Sequence, residues 1–322
     1  MLTVLVATYN GARTLPESLN AYLQLQPPVG DWKLVMVDNG SSDETKRIID
    51  SFKGRLPLTY IFEPSRGKNA ALNSGLSRVE GDLVLFTDDD VVPRADWLAE
   101  MRRAADSQPS WSIFGGAIVP LWEIRPKHWI LACVPMAPVF AATDPSWLEG
   151  PIAPGLVFGP NMGIRVEIFQ RGYRFNTEIG PCGQNYAMGS ETELMLRLAK
   201  AGFKAWHCPQ AVVEHIIRKS QMNQKWILRR ARRLGRGQYR LEIQFKHADS
   251  KFLLGVPRSL IRHVFREIPR LAYANLGGDS TRGFQKRWEF NFLLGQAIEA
   301  RILNGQRKSS PRLFRPYTKR GI

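Results

Sequence analysis

The stretches Leu2–Gly11 (LTVLVATYNG) and Lys33–Glu44 (KLVMVDNGSSDE) are short apolar runs that stop abruptly at polar, turn-forming residues. Two more runs, LTYIFE at 58–63 and DLVLFT at 82–87, have the same build. Helical patterns separate and follow them at 13–26, 42–52, 68–79 and 95–106. Strands apolar on both faces, alternating with helices, predict an α/β fold: a mostly parallel sheet sandwiched by helices. In such a sheet the binding crevice opens at the strands' carboxyl ends. The polar residues there, Thr8, Tyr9, Asn10, Asp38 and the triplet Asp88, Asp89 and Asp90, are therefore the candidates for chemistry.

Outward from this core, residues 120–159 are rich in Trp and Pro without a clear period and read as a loop or lid. A helix opening at Ser190 closes on Gly202, followed by the strand-like segments FKAWHC and AVVEHII. Beyond them the pattern is helical and basic, at about 221–245, 257–275 and 283–304, and residues 308–322 resemble a solvated basic end. Net charge is +16, but it is unevenly placed. Up to His215 there are 20 basic and 23 acidic residues; after it, 25 and 6. Such a tail suits a polyanionic partner, an acidic membrane surface or nucleic acid.

Cys133, Cys182 and Cys208 stand far apart with no metal-type spacing, which fits a reducing compartment. The N-terminus lacks a basic, cleavable leader, and the longest apolar stretch, 129–142, holds Pro135 and Pro138 and falls short of the roughly 20 residues needed to span a bilayer. The expectation is a cytoplasmic protein, peripheral on the inner face of the plasma membrane.

Each candidate has a plain structural reading beside the chemical one. Thr8–Gly11 also suits a helix-entry turn, and Ser41 with Glu44 three residues later is a capping-box pattern for the next helix. That cap does not explain Asp38. Three adjacent carboxylates at Asp88–Asp90 repel one another unless a cation, a proton or water intervenes; oxygen ligands suit Mg or Mn. Glu191 and Glu193 fall in the first turn of a helix, where the dipole favours ionised carboxylates. His215, in an apolar strand, is by itself an ordinary core or edge histidine.

In order along the chain stand TYNG, VDNGSSD, GKNAALNSGL, FTDDDVVP, GPNMGIR, GSETELMLRLAKAG and VVEH. Together they resemble the family-2 glycosyltransferases of the GT-A fold over residues 2–217, and the following KWILRRARRLGRG looks like a basic helix of bacterial members. The resemblance implies a catalytic domain at 1–217, with a nucleotide-sugar half at about 1–119 and an acceptor half at about 120–217, then a basic helical extension at 218–322. It implies that Thr8, Tyr9, Asn10, Asp38, Lys68, Asn73, Asp88 and Asp89 hold the nucleotide-diphosphate sugar, with a UDP-sugar favoured. It assigns Asp88, Asp90 and His215 to a divalent cation, Mg or Mn. Where such sequences usually read GEDTEL, this chain reads GSETEL, so Glu191 falls on the position of the catalytic base.

The chemistry implied is a direct displacement with inversion: one carboxylate removes the proton of a carbohydrate or lipid-linked acceptor hydroxyl while the nucleoside diphosphate departs. A sugar-phosphate nucleotidyltransferase is the rival enzyme, but its Gly-rich loop after the first strand is missing. Nucleic-acid binding through Lys225–Arg240 is the rival of another class; it is the less favoured, because it leaves the acidic strand ends unexplained.

Overall fold

A computed structural model describes residues 1–183, 185–245, 251–276 and 280–309. The described residues form two compact units, one within 1–185 and 189–223, the other within 186–188 and 224–309. The first unit therefore ends a little beyond the boundary expected at 217/218. The segment expected to be a solvated end lies, from residue 310 on, outside the described residues.

Unit 1 is built on a single nine-stranded sheet. Its first half follows the sequence pattern: β1 (Leu2–Thr8), α1 (Leu15–Tyr22), β2 (Trp32–Asp38), α2 (Thr45–Ser51), β3 (Leu58–Phe62), α3 (Lys68–Gly75) and β4 (Leu83–Asp88). These four strands are parallel, in the order β3-β2-β1-β4. Alternate residues of β1 face opposite sides, as the two-residue strand period requires. Val4 and Val6 join Leu15, Leu19 and Trp97 on one side, and Leu5 joins Val37, Phe86 and Leu194 on the other. Both faces being covered, the run is apolar throughout.

The second half is mixed rather than parallel. It comprises β5 (Val91–Pro93), α4 (Trp97–Ser107), β6 (Ile113–Trp122), α5 (His128–Cys133), α6 (Met136–Phe140), β7 (Gly150–Ile152), β8 (Met162–Arg165), α7 (Val166–Gln170), α8 (Ser190–Lys200) and β9 (Ala205–Ile217). β8 runs antiparallel to both β4 and β6, β9 is parallel to β6, and β5 and β7 are antiparallel to β9. β5, β7 and β8 are too short to show a period in sequence. The two segments FKAWHC and AVVEHII lie in one long strand, interrupted by a register shift opposite Gly116/Ala117. Buried Asn161 pins that irregularity by donating to the Ala117 and Ala211 carbonyls, both at 2.8 Å, while accepting from Trp97 Nε1. The expected lid at 120–159 contains α5, α6 and β7.

Unit 2 contains α9 (Gln224–Phe245), a hairpin of β10 (Phe252–Leu253) and β11 (Val256–Pro257), α10 (Arg258–Leu276) and α11 (Ser280–Ser309). The basic character of α9 has an internal use. Fully buried Glu299 of α11 accepts from Arg236 Nε at 2.6 Å and Arg240 Nε at 2.5 Å. Two arginines facing one buried carboxylate satisfy a charge that could not be buried alone. Tyr186–Met188 completes this unit: Met188 N donates to the Arg233 carbonyl, and the Arg233 guanidinium lies 4.7 Å from the Tyr186 ring centre. Among the described residues no helix is long and apolar enough to cross a membrane.

Candidate active site

The register of the parallel strands sets the site, pairing Thr8 with Asp38 and Ala7 with Asp88, so the polar ends of β1, β2 and β4 lie side by side. Tyr9 follows β1 with its ring 55% exposed, available to a flat ligand. Asn10, at φ 52°, shapes the turn: its N–H donates to Ser41 Oγ at 2.9 Å and its side-chain oxygen accepts from Ser42 N at 2.8 Å. Asn occupies this left-handed region more readily than most residues.

Ser41 and Glu44 do not form the expected capping box. α2 starts at Thr45 without a side-chain cap at Glu44, and Asp43 bonds the Thr45 N–H and hydroxyl instead. The serines are drawn to Asn10 and Asp38 because the loop folds back against the first strand's turn. Asp38, nearly fully buried, accepts from Ser41 N at 2.8 Å through one oxygen and from Tyr60 Oη at 3.1 Å through the other. Burial and the Asp38 charge push the Tyr60 phenol up to about 12, so it stays a donor.

The centre of the site is Lys68, at the start of α3. Its ammonium donates to Asp88 Oδ1 at 2.6 Å and to Glu191 Oε1 at 2.8 Å, so a single cation joins a strand end to the first turn of α8. Burial alone would lower the Lys68 pKa, but the two carboxylates outweigh it and raise it. Burial would likewise raise that of Glu191, but the Lys68 charge prevails and holds the carboxyl at about 2. Ser190 adds a hydrogen bond to Glu191 Oε2 at 2.5 Å. Glu193 is bound instead to Arg197, with contacts of 2.8 and 2.9 Å, and is closed off from the crevice at 1% exposure.

The three aspartates diverge. Asp89 accepts from the buried Thr8 hydroxyl, so these two expected donor-site residues hold each other. Burial, then the neighbouring Asp90 charge, push Asp89 up to about 7. Asp90 lies 3.4 Å from His215 Nε2 and 3.1 Å from the Arg218 guanidinium. His215 Nδ1 is 2.7 Å from the Phe140 carbonyl, which can only accept; Nδ1 therefore carries the hydrogen, and the neutral ring turns the Nε2 lone pair to Asp90. Burial would lower the His215 pKa, but the Asp90 charge overcomes it and raises it: a proton is drawn into the gap between two lone-pair donors.

Asn73 does not face the donor crevice. Its amide exchanges two hydrogen bonds with the Phe175 backbone, both at 2.9 Å. Nor does Asp88 join Asp90 and His215 around one point, since its carboxylate is held by Lys68; among the described residues no three His, Cys, Asp or Glu side chains converge as a metal cage. Arg218 and Ser190 were missed in the sequence. The signal for Arg218 was its place in the same strand exit as His215, and for Ser190 its adjacency to Glu191.

Comparison with known proteins bears on the family and the fold. Residues 3–171 match the family described as Glycosyl transferase family 2. The chain is 23% identical over 245 residues to the glucosyl-dolichyl phosphate glucuronosyltransferase of Haloferax volcanii, covering 71% of this chain and 74% of that one. With the poly(ribitol-phosphate) beta-N-acetylglucosaminyltransferase TarS of Staphylococcus aureus it shares 32% identity over 90 residues, 27% of this chain but 16% of that protein. Among solved structures, the mannosyltransferase PcManGT from Pyrobaculum calidifontis, in complex with GDP-Man and Mn2+, is similar with a TM-score of 0.57 at 22% identity, over 93% of this chain and 86% of that one. TarS residues 1–349 with UDP give 0.53 at 16% identity, over 95% and 92%. At such identities the structural likeness speaks for a shared GT-A fold. With the family match spanning more than half of its length, the chain belongs to the family-2 glycosyltransferases.

Proposed function

We propose that this glycosyltransferase moves a sugar from a nucleoside diphosphate to the hydroxyl of a carbohydrate or lipid-linked acceptor, with inversion, and that Glu191 is the base. The observation that carries the reading is the Lys68 bridge between Asp88 and Glu191: it sets one ionised carboxylate beside the crevice, at the end of the strands where the donor fold binds its ligand. Tyr9 stacks on the base, Asp38 accepts from it, and Lys68 meets the diphosphate. Glu191 takes the acceptor's hydroxyl proton as the new glycosidic bond forms and the bond to the nucleoside diphosphate breaks. One catalytic carboxylate suffices, since the leaving group departs as an anion without a general acid.

Asp90 and His215 fit a divalent cation. They present an oxygen and a nitrogen donor to one gap, and the Phe140 carbonyl orients the imidazole from behind, as carbonyls do for metal-bound histidines. When bound there, Mg or Mn supplies Lewis-acid stabilisation of the departing diphosphate. Solved relatives carry GDP-Man with Mn2+ or UDP; a UDP-sugar remains the favoured donor, on the pyrimidine contact open to Asp38. The relative named for glucosyl-dolichyl phosphate supports a lipid-linked acceptor, met at an anionic membrane surface on the cytoplasmic side.

A panel of nucleotide sugars, screened for stabilisation against heat with and without Mn or Mg, identifies the donor. With that donor, Glu191→Gln retains binding while turnover falls by about 10²-fold or more. Asp90→Asn, or excess chelator, abolishes transfer in the folded protein. Normal turnover in Glu191→Gln removes the base from this account; full activity in chelator removes the metal.

A further inference from the structure

The outer face of α10 is unlike that of an ordinary surface helix. Leu260, Ile261, Val264, Leu271 and Ala274 recur at helical spacing on the side that packs inward, yet Phe265 and Tyr273 are 67% and 69% exposed, with Ile268 half-exposed. Arg258, Arg262 and Arg266 are exposed among them. Immediately before the helix, the β10–β11 hairpin carries Phe252, Leu253 and Leu254 at its tip, and Leu254 is 84% exposed with φ 51°, a strained place for an unsupported leucine. Aromatic rings interleaved with arginines suit the boundary between headgroups and acyl chains.

Beside this face, within unit 2, α10 and α11 form an open pocket of about 440 Å³ lined by Pro269, Arg270, Tyr273, Ala274, Arg282 and Lys286. Three cations line it and no carboxylate does. From outside the lining Glu267 pairs with Arg270 at 2.5 Å and lies 3.8 Å from Lys286, which Glu289 holds at 2.5 Å, so these side chains are fixed in place. Pro269, inside the helix, has no N–H for the Phe265 carbonyl, so the helix is loosened where the pocket opens. A cationic pocket with an aromatic rim, bordered by exposed apolar side chains, matches an anion that continues into hydrocarbon.

We propose that this pocket binds the phosphoryl headgroup of an anionic lipid, with Phe265, Ile268 and Tyr273 seated against the acyl region. The inference rests on the membrane-surface part of the proposed function and names its site.

The full chain is sedimented with phosphatidylcholine vesicles, with and without phosphatidylglycerol. Binding is expected only with the anionic lipid, and to fall about tenfold or more in Arg270→Gln and in Lys286→Gln. The exposed pair Phe265→Ser and Tyr273→Ser, which leaves the packed face of α10 untouched, is expected to weaken binding as much, with unchanged circular dichroism and Tm. Arg229→Gln, an exposed cation of α9, serves as the control and should change little. If the intact chain ignores anionic vesicles, the membrane reading falls and this site with it. If it binds and the pocket variants bind as well as Arg229→Gln, only the pocket is overturned. Inorganic phosphate is titrated without vesicles: stabilisation that depends on Arg270 and Lys286, alongside unchanged vesicle binding in the variants, assigns the pocket to a free phosphate and overturns the lipid.

Discussion

The glutamate at position 191 is one methylene longer than the aspartate that such a base position usually carries, and the structure makes room for it at Gly159. A Cβ on Gly159 would lie 2.6 Å from Glu191 Oε1 and 2.8 Å from its Cγ. Gly159→Ala is therefore expected to push the carboxylate aside and lower turnover about tenfold or more with donor binding retained, and Glu191→Asp to recover part of the loss in the double variant. Additive losses in that cycle would show that the two residues do not share space. Lys68 makes a second test possible. A base must be ionised, and the ammonium keeps Glu191 ionised down to about pH 2. In Lys68→Met burial is opposed only by the hydrogen bonds from Ser190 and the backbone, so Glu191 rises and the acid limb of kcat/KM moves to higher pH. An unmoved limb would mean that another group sets it.

Helices α9 and α11 approach closely through glycines that the sequence pattern gave no reason to notice. A Cβ on Gly235 would run into the Phe292 carbonyl, and one on Gly295 into that of Arg232, whereas Gly305 has open space around it. Helix propensity alone favours Ala over Gly by about 1 kcal/mol. At Gly235 overpacking against backbone outweighs this by an expected net loss on the order of 1–3 kcal/mol, while Gly305→Ala should raise Tm slightly. Thermal unfolding of the two variants reads the opposite signs. Elements of this kind mark the limit of sequence reading. The four parallel strands were legible because burial on both faces writes itself as uninterrupted apolar runs. The antiparallel strands β5, β7 and β8 were not, being too short for a period, and Ser41 was misread as a cap because its partners, Asn10 and Asp38, are set by tertiary folding. At the site, Asp38, Lys68, Glu191, Asp90 and His215 fall at or beside the crevice, whereas Asn73 spends its hydrogen bonds on the Phe175 backbone and Thr8 its hydroxyl on Asp89.

At the scale of the whole molecule, unit 1 carries every residue assigned to the donor and unit 2 the cationic surface. A chain ending at Asn223 is expected to keep nucleotide-dependent thermal stabilisation, to lose binding to anionic vesicles, and to transfer poorly to a lipid-anchored acceptor. Were the shortened chain unable to fold, and the intact chain indifferent to vesicles at low salt, the tail would be a packing element instead. The shortened chain also leaves Tyr186–Met188, which ends three residues before Glu191, without α9. That strap has a consequence in time. The backbone passes between the units three times, at 185/186, 188/189 and 223/224, so one segment of the second unit, Tyr186–Met188, is made before the helix it joins. On the ribosome the sheet can assemble early, whereas Tyr186–Met188 meets its partner in α9 only once Arg233 has emerged.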